Sequence, residues 1–212
     1  MKMNFVSKTW LTVWSAVFLV SIGAKTWAQT IEEVVVISSK QAAGISTQDL
    51  PGSVVTFNET ALKNSFTVDL VDIGKMVANA ELNNVGTYAS YPNFFIRGMG
   101  VNGSTRTNDP KVGIFVDGIY LGYNPGALAS TFDLEAVEVL RGPQGTLFGK
   151  NTVGGVVNVI RSRPTGEFGG KFKLTAGKDG QQEARGVLNT AISDNVAMKL
   201  FGTKIDYDGF MD

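Results

Sequence analysis

The 212 residues carry 19 basic and 19 acidic side chains and are 43% hydrophobic, which calls for a packed core and is not the composition of a disordered tail. Cysteine and histidine are both absent, so no disulfide framework, thiol nucleophile, zinc site or histidine base can be built, which removes most enzyme classes. Three of the basic residues, Lys2, Lys8 and Lys25, precede the first acid, Glu32; the chain after them is net acidic, which argues against nucleic acid as a partner.

Lys2 and Lys8 form a positive start, Trp10 to Ile22 an apolar stretch, and Thr26-Trp27-Ala28 places small residues where a signal peptidase needs them. The stretch is interrupted by Thr12, Ser15 and Ser21 and is shorter than the ~20 apolar residues of a spanning helix. Residues 1–28 therefore read as a secretory signal peptide, with maturation at Gln29.

The next run, IEEVVVI from Ile31 to Ile37, is β-prone, and the polar stretch SSKQAAGISTQD follows it. It reads as an extended peptide that lacks a strand of its own to pair with. Ser53 to Phe57 is a candidate strand; Asn58 is placed to cap a short helix. Thr67 is placed to cap a second helix with Leu70, Ile73 and Val77 on one face, weakened by Gly74. Strands are expected through Asn93 to Arg97, on both sides of Asp117-Gly118, at Ala136 to Arg141 and at Val156 to Arg161. Asp-Gly between two β-prone runs is the strongest hairpin indication in the chain. Short strands and helices interspersed define an α+β domain, a small mixed sheet with short helices.

Beyond Pro164 the pattern alternates. Lys171, Lys173 and Thr175 lie on one face, Phe172, Leu174 and Ala176 on the other. Glu183 to Ile192 alternates less cleanly, Ser193-Asp194-Asn195 makes a turn, and Val196, Met198 and Leu200 continue one face until the phase slips near Phe201 or Gly202, where a bulge is expected. Two-faced strands of about ten residues joined by short turns match the staves of an outer-membrane barrel.

Several motifs fail on context. Gly98 to Gly103 fits a dinucleotide-binding spacing, but a polar loop follows it and not the helix that would hold a pyrophosphate. Gly149-Lys150-Asn151 lacks the Ser or Thr of a phosphate loop. The pairs Glu32/Glu33 and Glu135/Glu138 have no convergent base, nucleophile or metal set and read as solvated charges, the second at a strand edge. Arg97 and Arg141 each close a β-prone run and precede glycine; a surface position and a buried ion pair are both open to them.

IEEVVVI, NFFIRGMG, VGIFVDGIYLG, FDLEAVEVLRGPQGTLFGKNTVGGVVNVI and RPTGEFGGKFKLTAG, in that order, resemble the TonB-dependent outer-membrane receptor family from about residue 31 onward. The resemblance implies a TonB box at Ile31, Glu32, Glu33, Val34, Val35, Val36 and Ile37, with linker, over residues 29–48. A plug domain would cover 49–161, and 165–212 would supply the first three or so strands of a barrel of about 22. It implies TonB, with ExbB and ExbD, as the energising partner, outer-membrane lipid around the barrel, and a bulky nutrient such as a ferric siderophore as ligand. It implies further that Arg97 and Arg141 face barrel acids, and that Arg106, Asp109 and Lys111 lie in an outward loop that helps bind the ligand. No cofactor, metal or catalytic residue is expected.

So few staves cannot close a barrel, since the smallest single-chain barrels need about eight. The chain is accordingly expected to be a fragment not competent for transport alone. A signalling receptor and a stand-alone periplasmic binding module are the other classes in play, and substrate identity stays open.

Overall fold

The computed structural model divides the chain into two units, Met1–Glu33 and Val34–Asp212. It describes residues 35–36, 45–46, 52–85, 88–101, 108–122, 130–178 and 180–206, all in the second unit. The signal-peptide reading lies outside the described residues.

The central feature is a five-stranded sheet of β3 (Ser53–Asn58), β6 (Val112–Val116), β7 (Ile119–Tyr120), β8 (Leu134–Arg141) and β9 (Gly155–Arg161). Its strands run in the order β3-β8-β9-β6-β7. Only β6 and β9 are parallel; the other pairs are antiparallel, which makes the sheet mixed. β9, with the near-continuous apolar run GVVNVIR, is buried on both faces, as expected of a strand with neighbours on each side and layers above and below.

One face of the sheet, with Val137, Val139, Val157, Val159, Val112 and Ile114, packs under two helices and a hairpin. The hairpin is β4 (Ala80–Val85) with β5 (Tyr88–Ile96). Helix α1 (Glu59–Asn64) is capped as expected: Asn58 Oδ1 accepts from the Ala61 N–H at 2.8 Å. Helix α2 (Leu70–Gly74) is capped by Asp69, not Thr67. The Thr67 hydroxyl is already committed, donating to the Leu62 carbonyl at 3.0 Å, while Asp69 Oδ1 accepts from Val71 and Asp72. Leu70 and Ile73 are buried as the spacing predicts, and Val77 is buried just beyond the helix end. The opposite face of the sheet gathers Phe115, Leu140 and Val156 with Tyr120 and Phe148, the last from helix α3 (Gly145–Phe148).

The Asp117-Gly118 hairpin forms, with φ of 51° and 80° at its two central residues, the left-handed pair that a type I′ turn requires. Asp117 also ties the turn to β9: its carboxylate accepts from the Arg161 backbone N–H at 2.8 Å and from Arg161 Nε at 2.6 Å.

After β9 the chain enters an antiparallel meander, β10 (Gly169–Ala176), β11 (Gln182–Ser193) and β12 (Val196–Asp206). The register places Lys171, Lys173 and Thr175 on one face with Glu183, Arg185 and Val187 and with Lys199, Phe201, Thr203 and Ile205. Glu183, Arg185 and Val187 are buried, so this face meets the five-stranded sheet. Phe172 and Leu174, each 70% exposed, stand on the other face with Leu188 and Leu200. The expected bulge at Phe201 or Gly202 does not occur; the ladder is continuous there and shifts instead between Ala191 and Ser193, beside the turn. The apparent slip in phase arises because Phe201 is an apolar residue on the inner face, where its ring meets Phe132 with centroids 6.1 Å apart.

Candidate functional site: the coupling strand and the plug–barrel seam

Two residues of the proposed coupling segment are described. Contrary to the expectation of an extended peptide with no strand to pair with, Val35–Val36 forms strand β1, antiparallel to β2 (Ile45–Ser46) in the polar stretch that follows, with Val35 opposite Ser46 and Val36 opposite Ile45. Ile31, Glu32, Glu33, Val34 and Ile37 lie outside the described residues.

Arg97 and Arg141 are brought to one end of the five-stranded sheet. Arg97 follows β5 in the left-handed region, φ 53°, and its N–H donates to the Asn79 carbonyl at 2.8 Å. Its guanidinium lies against Gly142, where a Cβ would come within 3.0 Å of Nη1, so the glycine after Arg141 makes room for Arg97. Arg141 ends β8 and donates from Nη1 to the Ala78 carbonyl at 2.9 Å, while its buried Nε has no hydrogen-bond partner. Among the described residues neither arginine pairs with a carboxylate.

Of the proposed ligand-facing residues, Arg106 lies outside the described residues; Asp109 and Lys111 are exposed. Asp109 approaches Asn151 Nδ2 at 3.5 Å, and the Lys111 carbonyl accepts from the Gly154 N–H at 2.8 Å, joining this loop to the turn that precedes β9.

Glu138 is not a solvated edge charge. It sits in the interior strand β8, fully buried, with Asn158 Nδ2 donating to its Oε2 at 3.2 Å. Between that face and the meander lies a cavity of about 940 Å³ whose lining includes Asn158, Arg161, Arg163, Arg185, Lys199 and Phe201. Arg185 is held by Glu183 two residues earlier on the same strand face.

The sequence did not point to a cluster of charges at the junction of the plug with the meander. Glu59 at the start of α1 pairs with both Lys63 and Lys171; Asp133, just before β8, takes Lys199 at 2.6 Å and stands 4.0 Å from Lys171. Burial raises the Glu59 pKa, but hydrogen bonds from Lys171 and Lys63 outweigh it and hold the carboxyl below its ordinary range. Nothing in the spacing announces this cluster, because Asp133 and Lys199 are 66 positions apart.

No group of three or more potential metal-ligating side chains occurs among the described residues. What the arrangement offers is mechanical: a mixed sheet domain held by ionic and aromatic contacts against the polar face of a two-faced β-meander. That is the make-up of a plug inside a membrane barrel.

Residues 46–156 match the family described as TonB-dependent Receptor Plug Domain, and the chain belongs to that family. It is 27% identical over 186 residues to a vitamin B12 transporter, BtuB, of Vibrio vulnificus, covering 86% of this chain and 29% of that protein. It is 26% identical over 205 residues to an iron-regulated outer membrane virulence protein of Vibrio cholerae, covering 90% of this chain and 30% of the relative. Among solved structures, the ferripyoverdine receptor of the Pseudomonas aeruginosa outer membrane superimposes with a TM-score of 0.67 at 19% identity, over 82% of this chain and 22% of that one. The chain thus spans less than a third of the length of these relatives.

Proposed function

We propose that the chain is the plug and first barrel strands of an outer-membrane receptor that imports a bulky nutrient with energy drawn from TonB. The observation that carries this reading is the plug match over residues 46–156 in a chain that continues directly into a two-faced antiparallel meander. Residues 1–28 would direct export, and Ile31 to Ile37 would pair as a strand with TonB, itself driven by ExbB and ExbD. The exposed face of Phe172, Leu174, Leu188 and Leu200 fits outer-membrane lipid. Arg97 and Arg141, unpaired with carboxylates among the described residues, would pair with acids of the barrel, and the loop of Arg106, Asp109 and Lys111 would help bind the ligand. The relative named as a vitamin B12 transporter supports a metal chelate as the cargo.

The mechanism follows from connectivity. Pull on the coupling segment parts the two-residue β1–β2 pair and then enters the five-stranded sheet at β3, an edge strand held by one ladder to β8, with every residue only half-buried. It is the element of the plug sheet that yields first along this route. The test is Val35→Pro in the complete receptor, which removes a backbone donor from the docking strand. Energised uptake is expected to fall to the unenergised level while ligand binding to the cell surface is retained; unchanged uptake rules the coupling role out.

A further inference from the structure

Asp133 enters β8 with φ 61°, its side chain only 6% exposed, and donors from three elements converge on it. Ser162 Oγ donates to Oδ1 at 2.7 Å, Lys199 Nζ donates to Oδ2 at 2.6 Å, and Lys171 Nζ stands 4.0 Å from Oδ1. The Asp133 carbonyl accepts the Ser162 N–H at 3.2 Å, which closes the end of the β8–β9 pair. Lys199, 15% exposed, also donates to Ser162 Oγ at 2.9 Å and to the Ser162 carbonyl, so its ammonium has all three protons engaged. Lys171 comes from β10 and Lys199 from β12, on the one face of the meander that meets the plug.

We infer that Asp133 is an anchor that fastens the β8–β9 end of the plug to the barrel wall, with the barrel supplying the cations and the plug the acid. This rests on the reading that the plug moves against the barrel during uptake. Among the described residues the ionic attachments of the plug to the meander, at Asp133 and at Glu59, are unequal. The Asp133–Lys199 pair is nearly desolvated, and losing either partner strands the other charge in a buried site. The Glu59–Lys171 pair, beside the edge strand, is 38% and 43% exposed and correspondingly weaker. A pull arriving through β3 therefore meets the weak tie first, and β8 and β9 stay on the wall. Release is partial: β3 and α1 leave, and the two interior strands remain as a seat for their return.

The experiment is hydrogen exchange with mass spectrometry on the complete receptor in lipid nanodiscs, unenergised, for the wild type, Lys199→Met, Asp133→Asn, the double variant and Lys171→Met. In K199M, which alters only the barrel partner, exchange of the Ser162 amide and of the first residues of β8 is expected to rise about 10-fold or more. D133N does the same, the double variant exchanges no faster than the faster single one, and K171M changes these amides less. Unmoved exchange in K199M, or single effects that add in the double variant, overturns the anchor; should D133N not assemble, K199M alone decides. Uptake is measured in parallel: a wild-type receptor that takes up no chelate sinks the transport reading while leaving the exchange result, and hence the anchor, standing.

Discussion

Gly155 opens β9, the strand to which both β8 and β6 attach, opposite Arg141 on one side and Val112 on the other. A Cβ there would lie 2.3 Å from the Leu140 carbonyl oxygen and 2.8 Å from Ile96 Cδ1, and the backbone has φ 156°. Ile96 has a flexible end and can rotate, but the Leu140 carbonyl moves only by opening the β8–β9 ladder. Gly155→Ala should therefore cost about 1–3 kcal/mol for the backbone conformation. Overpacking against a neighbour that cannot retreat adds about 1–3 kcal/mol. Together these are a large part of the roughly 5–15 kcal/mol that holds an ordinary domain folded. The control is Gly145→Ala, where nothing lies within 4 Å and the residue opens a short helix, so the change should be within about 0.5–1 kcal/mol and favourable if anything. The assay is urea titration of the complete receptor in detergent, followed by protease cleavage of the plug. A G155A midpoint indistinguishable from that of G145A would refute the reasoning, since it would mean that β8 and β9 can part at Leu140 without loss.

Three further outcomes are expected. Asp117→Asn keeps an acceptor for the Arg161 N–H and a residue that tolerates the turn, so it should cost under about 1 kcal/mol, whereas Asp117→Ala loses both and should cost about 2–3 kcal/mol by the same titration. Leu174→Lys, on the exposed face of β10, should lower the amount of receptor assembled in membranes by about 2–4 kcal/mol of insertion energy if the position lies near the bilayer midplane; an unchanged yield argues against lipid contact there. The Glu59 carboxyl has its pKa lowered in the folded protein, so its contribution is present above its ordinary value of 4.5 and is lost as pH falls through the folded value. The stability gap between wild type and Glu59→Gln should then be visible at neutral pH and close on acidification below that range; a gap that persists in acid contradicts the ion-pair account.

Features legible in the sequence were those decided within a few residues. Asn58 caps α1, and Asp117-Gly118 turns between two β-prone runs, because each needs only its immediate neighbours. Thr67 was expected to cap α2, but its hydroxyl is taken by the Leu62 carbonyl of α1 and Asp69 caps the helix instead, a choice set by a contact outside the helix itself. Glu138 was misread because strand order is not sequence order: β3 arrives from far up the chain to cover β8, turning an apparent edge into an interior. Phe201 looked like a slip in phase because the inner face of a barrel strand is polar only where it meets water or charge, and here it meets Phe132. Of the seam, the sequence showed Lys171 on the polar face of its strand, but neither Asp133 nor Lys199 carries a local mark of what it joins.

The order of the plug strands also bears on how the domain comes to exist. β9 lies in the middle of the sheet yet is the last of its five strands in the chain. As the polypeptide emerges N-terminus first, β3, β6 and β8 have no completed sheet to join until Arg161 has appeared, and the β3–β8 and β6–β9 pairings join segments far apart in the chain. Such a topology folds late and slowly, since long loops must be closed before any ladder repays them. The apolar stretches of β6 and β8 are left uncovered in the interval, which is when the chain is most exposed to aggregation, and the arrival of β9 ends it.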